Sequence, residues 1–211
     1  SADDRLATNL VIVFDGSGSM AGEKIEVAKK SLAKFLASVP TEWNVGLIVF
    51  DNDGKRVPLD IGRHDAKAIN DAVASIRAGG GTPLGETIQM AHEGLQRKRD
   101  QQQGYGRFVA LVVTDGEATD KERMARVAPE LARDGMELNV IGFRLPGAHS
   151  LRTFASDYRD AGNEQQLSKA MAEIVAETRT DAANYKFEPL TIKDSDLAPP
   201  KAFAEAPGKK E

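Results

Sequence analysis

Apolar positions along this chain follow two different periods. Residues 10–14, 45–50, 108–114 and 138–143 form short runs of Val, Ile, Leu and Phe without polar alternation, the pattern of parallel strands buried on both faces. Residues 55–60 are more polar and follow the turn formers Asn52, Asp53 and Gly54. They are expected to hairpin onto 45–50 as an antiparallel edge strand, and 157–161 reads as a weaker last strand. Between these runs the period changes to that of a helix. Ile25, Ala28, Leu32, Phe35, Leu36 and Val39 share one face, ended by Pro40, and Ile69, Val73 and Ile76 mark a second helix. Leu84, Ile88, Ala91 and Leu95 follow Pro83, which is expected at a first helical position. Thr119 and Glu122 have the spacing of a capping box for a fourth helix, which Pro129 is expected to break near Ala128. A short helix is expected over 151–156. Asn163 and Gln166 open a final one with Leu167, Ala170, Met171, Ile174 and Val175 on its apolar face. Strands alternating with helices predict an α/β fold: a mostly parallel sheet with one antiparallel edge strand and helices on both faces.

Size and charge narrow the function classes. With 211 residues the chain is long enough for one domain with a sizeable core. The 28 basic and 32 acidic residues leave a net charge of -4, so neither nucleic acid nor an anionic membrane is an expected partner. No cysteine is present, which removes zinc-thiolate centres, disulfides and thiol nucleophiles. The longest apolar runs fall far below the roughly 20 residues that cross a bilayer, so no membrane insertion is expected. An exported or periplasmic setting is expected over a cytoplasmic one; the polar start SADDR, the lack of cysteine and a Pro/Ala/Lys-rich end permit it. Residues 179–194 are expected to be extended, and 195–211 to form a flexible tail.

Three stretches carry candidate chemistry. DGSGSM places Asp15, Ser17 and Ser19 at alternate positions directly after the first strand. GGGTPLG places Thr82 in a glycine-rich loop before a helix, and TDGE places Asp115 at the end of the most hydrophobic strand. In open α/β sheets ligands bind outside the carboxyl ends of the strands, so all three can meet there. Two carboxylates and three hydroxyls make an all-oxygen set suited to a hard divalent cation, magnesium first. Five protein groups around an octahedral ion leave a position for an oxygen from elsewhere. Gly16 and Gly18 are expected to allow unusual backbone angles in the first loop.

These segments resemble the metal-ion-dependent adhesion site of von Willebrand factor type A domains, with its DxSxS, Thr and Asp pattern matched in full, and SGSM and GGTPLG are more similar to bacterial members than to animal integrins. The resemblance implies a doubly wound, Rossmann-like sheet over residues 6–178. It implies Mg2+, with Mn2+ or Ca2+ as substitutes, held directly by Ser17, Ser19 and Thr82 and mostly through water by Asp15 and Asp115. It also implies a non-enzymatic role in which a partner protein's carboxylate completes the metal shell. An alternative is a subunit coupled to a MoxR-type or magnesium-chelatase-like ATPase, and a third reading keeps the metal as a structural staple. In integrin-like members the last helix moves on ligand binding, for which Gly142 and the loop 145–150 are the candidate hinge.

Other chemistries fit less well. Gly16, Gly18 and Ala21 satisfy G-x-G-x-x-A, yet Asp15 would repel a pyrophosphate and Asp51 comes too late for the ribose-binding acid. Neither serine lies in G-x-S-x-G, and no glycine-rich loop carries the Lys-Ser/Thr of a phosphate-binding loop. His64, His92 and His149 lack metal-helix spacing and are read as surface or capping residues. Asp51, Asp53, Glu86, Glu117 and Asp120 are expected to solvate and cap the rim of the site rather than to tune it.

Overall fold

The computed structural model describes residues 2–145, 147 and 149–184. In chain order the elements are α1 (Ala2–Arg5), β1 (Thr8–Asp15), α2 (Glu23–Ser38), β2 (Asn44–Asp51), β3 (Gly54–Gly62), α3 (Ala66–Ala74), α4 (Leu84–Gln101), β4 (Arg107–Thr114), α5 (Lys121–Arg133), β5 (Glu137–Phe143), β6 (Asp157–Ala161) and α6 (Glu164–Asn184). Short 3-10 turns lie at Gly18–Met20 and Ser150–Thr153.

The six strands form one sheet in the order β3-β2-β1-β4-β5-β6. All neighbours are parallel except β2 and β3. Period-two alternation explains why the apolar runs are continuous. Leu10, Ile12 and Phe14 face a core shared with Leu32 and Phe35 of α2, Val73 of α3 and Met171 of α6. Val11 and Val13 face the opposite core with Ile88 and Leu95 of α4 and Val127 and Leu131 of α5. A strand with helices on both sides has no polar face to show. Each fully buried side chain of this kind contributes about 1.5–3 kcal/mol. This is the α/β, doubly wound, mostly parallel sheet that the sequence predicts.

Several local expectations need correction. Helix α5 is continuous through Pro129, with Met124, Val127, Ala128 and Leu131 buried along one face. The carbonyl that a residue-129 N–H would have served belongs to Ala125, which lies on the exposed side, where water can satisfy it. Thr119 does not open this helix: the cap position is Asp120, without a side-chain cap bond to α5. Pro83 is the cap of α4 rather than its first helical residue. The helix expected over 151–156 is the 3-10 turn Ser150–Thr153. Asn163 and Gln166 do open α6: Asn163 Oδ1 accepts from the Gln166 N–H at 2.9 Å, and Gln166 Oε1 accepts from the Gly162 N–H at 2.7 Å.

Two compact units divide the chain, Ser1–Glu177 and Thr178–Glu211. In the second, the described residues are helical to Asn184, so the start of the segment expected to be extended is helix instead. Residues 185–194 and the tail 195–211 lie outside the described residues.

Candidate metal centre

Strand β1 is the point where the strand order switches direction, because β2 lies on one side of it and β4 on the other. Phe14 pairs with Val113, so Asp15 and Thr114 end side by side. Thr114 Oγ1 donates to Asp15 Oδ2 at 2.6 Å, and the Ser17 N–H donates to Asp15 Oδ1 at 2.8 Å. The loop then turns through Gly18–Met20, and Met20 is fully buried in the core and anchors it. Ser17 and Ser19 bring their hydroxyls to 3.0 Å, Ser19 Oγ donates to Asp115 Oδ1 at 2.6 Å, and Lys24 Nζ donates to Asp115 Oδ2 at 2.7 Å. Asp15, Ser17, Ser19 and Asp115 are therefore one hydrogen-bonded chain. Asp15 is 0 % and Asp115 6 % exposed.

Thr82 reaches the site by a different route. The Gly79 N–H donates to Gly16 O at 2.9 Å and the Gly18 N–H to Gly80 O at 3.1 Å, which zips the glycine-rich loop onto the DGSGS loop. Gly80 has φ 76°, a left-handed conformation that costs glycine nothing. From the other side, the Thr119 N–H donates to Thr82 O at 2.9 Å. Asp120 holds the N-terminus of α4, accepting from the Gly85 N–H at 2.9 Å and the Glu86 N–H at 2.8 Å. A carboxylate there satisfies orphan donors and complements the helix dipole. Thr82 itself is buried, and no hydrogen bond joins its side chain to the other four candidates among the described residues. Gly16 and Gly18 do not have the unusual angles expected of them. At Gly16 the requirement is close approach: a Cβ there would stand 2.8 Å from Asp51 Cβ and 3.1 Å from Phe50 O.

Burial pushes the Asp15 carboxyl above its ordinary range, against the hydrogen bonds from Ser17 and Thr114, and the Asp115 carboxylate adds to the push. Two anionic groups and three hydroxyls leave a site with an excess of negative charge and only oxygen donors, a set that fits a hard divalent cation. Among the described residues no cluster of three or more His, Cys, Asp or Glu side chains is placed to hold a metal. A cation here would depend on the serine and threonine hydroxyls as well as on the two aspartates.

The outer residues brace this arrangement. His149 is buried, accepts from the Leu151 N–H through Nδ1 at 2.9 Å and reaches Gly116 O with Nε2 at 2.8 Å, so its ring proton is placed on Nε2. Glu117 accepts from Ser150 through both oxygens, at 2.8 and 2.6 Å. Burial works to raise its carboxyl, and those two bonds together with Lys121 leave it below the ordinary range. Sequence reasoning left His149 as a surface or capping residue. It caps the 3-10 turn, but it also ties that turn to the Asp115 loop, a pairing with no local signal. His64 bonds beside β3, and His92 joins Asp134 across α4 and α5. Asp51 binds Arg56, and Glu86 lies between Lys55 and Arg123.

Comparison with known proteins agrees with this architecture. The uncharacterized protein YwmC of Bacillus subtilis is 28 % identical over 153 residues, which are 64 % of this chain and 66 % of YwmC. Mouse inter alpha-trypsin inhibitor heavy chain 4 is 27 % identical over 136 residues, 62 % of this chain and 14 % of that protein. The structure of a von Willebrand factor type A protein from Catenulispora acidiphila superposes with a TM-score of 0.68 at 18 % identity, covering 82 % of this chain and 43 % of that one. The chain thus spans less than two thirds of each of these relatives. The family model of the von Willebrand factor type A domain matches residues 9–180, and with that sheet order and that match the chain belongs to the von Willebrand factor type A domain family.

Proposed function

We propose that this domain is a metal-dependent protein-binding module: it holds Mg2+, with Mn2+ or Ca2+ as substitutes, among Asp15, Ser17, Ser19, Thr82 and Asp115, and captures an acidic side chain of a partner protein. Members of its family are commonly protein-interaction modules. The observation that carries the reading is the convergence of three segments distant in sequence, tied to one another by backbone bonds at Gly16, Gly18 and Thr82 and by the bond from Ser19 to Asp115. Such bracing fixes the donors before any ligand arrives, so little ordering is left to oppose binding.

Each residue has a distinct task. Ser17, Ser19 and Thr82 offer neutral oxygens, while Asp15 and Asp115 supply charge and orient the serines through the bonds described above. A bound divalent cation supplies a coordination position that a carboxylate oxygen from outside can complete. The role is binding, and no side chain here is assigned to bond making or breaking.

An affinity pull-down from a lysate of the native organism tests the proposal in three arms: wild type in magnesium, wild type in EDTA, and Thr82→Ala in magnesium. Capture of a protein by the first arm alone is the expected result. Equal capture in all three removes the metal site as the recognition element.

A further inference from the structure

Lys24 has no place in the metal-binding pattern, yet it touches the candidate site. Its Nζ lies 2.7 Å from Asp115 Oδ2, with its side chain 24 % exposed and that of Asp115 fully buried. Among the described residues it is the one cation paired with either aspartate of the site. Its position in the backbone makes the pairing more telling. Lys24 lies in the first turn of α2 beside Glu23 and ahead of Glu26, the end of a helix where the dipole disfavours a positive charge. Helix energetics alone therefore argue against a lysine there, and its partner is the carboxylate at the end of β4.

We infer that Lys24 sets the charge of the site: it opposes uptake of the divalent cation and makes the loaded site select an anionic partner group. The inference rests on the proposed metal-binding reading. With both aspartates ionised and Lys24 present, the group carries a single net negative charge, and a divalent ion converts it to a single net positive charge. An incoming carboxylate then neutralises the site. Without Lys24 the loaded site is already neutral, and a carboxylate would leave it negative in a mostly buried setting where charge imbalance is expensive. Lys24 thus trades affinity for the ion against affinity for the acid.

Calorimetric titration of the whole chain with magnesium chloride tests this in wild type, Lys24→Met, Lys24→Gln and Lys24→Arg, each first checked for folding by circular dichroism and melting in EDTA. Lys24→Met and Lys24→Gln are expected to bind Mg2+ at least fivefold more tightly than wild type, about 1 kcal/mol, and Lys24→Arg within twofold of it. The Gln variant carries the test if the Met variant does not fold. Equal, weaker or less than fivefold tighter binding by the neutral variants overturns the inference, as does tighter binding by Lys24→Arg. Replacing sodium chloride by sodium acetate at equal ionic strength supplies a simple carboxylate, which is expected to strengthen Mg2+ binding to wild type more than to Lys24→Met. An equal or absent acetate effect in the two proteins overturns the selection of anions. If wild type and every variant fail to bind Mg2+, the metal-binding reading itself falls. If wild type binds and the neutral variants match it, only the role of Lys24 does.

Discussion

The Ser19 hydroxyl donates to Asp115 Oδ1 at 2.6 Å, a bond between residues 96 positions apart. It joins the loop after β1 to the end of β4 across the switch point of the sheet, so the two halves of the candidate site are held in one geometry. Magnesium is therefore expected to stabilise the fold. At a free concentration of about 100 times Kd the gain is about 2.7 kcal/mol, and at this chain length each kcal/mol moves the midpoint by about 2–4 °C. Wild type should melt about 5–10 °C higher in magnesium than in EDTA. Ser19→Ala, with Kd raised tenfold, should keep only about 1.4 kcal/mol of that gain. Differential scanning calorimetry reads both, and a wild-type midpoint indifferent to EDTA would count against the site.

Asp15 leads to a prediction of the opposite sign. Its folded carboxyl is raised, chiefly by burial, above the unfolded value of about 3.9. The stability this group contributes is therefore full below that unfolded value and lost as pH rises through the folded one. At neutral pH without metal, ionised Asp15 is a cost that a cation would offset. Asp15→Asn removes the charge and keeps the shape. Its amide can donate to Thr114 Oγ1, which has Gly116 O at 3.0 Å as its own acceptor. In EDTA this variant should melt at or above the wild-type midpoint, while its response to magnesium disappears. An equal loss of stability with and without magnesium would make Asp15 a structural acceptor only.

The four central strands β1, β2, β4 and β5 were legible because each is a buried apolar run, and the closeness of Asp15, Ser17 and Ser19 because a single loop presents them. What escaped the sequence depends on contacts between distant segments. A capping role was expected of Asp120, but not that it serves α4 from 35 residues away; His149 braces Gly116 across 33, and Lys24 meets Asp115 only because β4 lies beside β1. Pro129 misled in the other direction. A local rule predicts a break, and the buried face of Met124, Val127, Ala128 and Leu131 outweighs one lost hydrogen bond on the solvent side.

Two glycines of the site separate crowding from flexibility. A Cβ at Gly16 would press against Asp51 Cβ at 2.8 Å, whereas one at Gly116 would meet nothing within 4 Å. Gly16→Ala should cost about 1–3 kcal/mol by overpacking, seen as a lower urea midpoint with an unchanged slope. Gly116→Ala should be neutral or stabilising by up to about 1 kcal/mol through the unfolded chain. Equal effects at the two positions would show that the loop relaxes freely and that its close approach to β2 is not needed.

Asp51 ends β2 beside the site with its carboxylate fully buried, 2.7 Å from the Arg56 guanidinium of β3. It also accepts from the backbone N–H groups of Asp53 at 3.0 Å and Arg77 at 3.1 Å. Burial works to raise this carboxyl, but Arg56 and those two donors outweigh it and leave the group below its ordinary range. A lowered folded value means stability that is present above the unfolded value of about 3.9 and lost as pH falls through the folded one. Arg56 also binds Ser75, its Nη1 to the hydroxyl at 2.9 Å and its Nη2 to the carbonyl at 3.0 Å, so it ties the edge hairpin to the end of α3. Arg56→Met would leave the carboxylate buried with backbone donors alone. A fully buried pair broken in this way loses about 3–5 kcal/mol, and the partial exposure of the arginine reduces the expectation to about 1–3 kcal/mol. Urea titrations at neutral pH and at acid pH below 4 distinguish the contributions. Wild type should lose stability on acidification, and Arg56→Met should lose less because the pairing is already gone. An Arg56→Met variant as stable as wild type at neutral pH would show that the Asp53 and Arg77 N–H groups satisfy Asp51 without help from the edge strand.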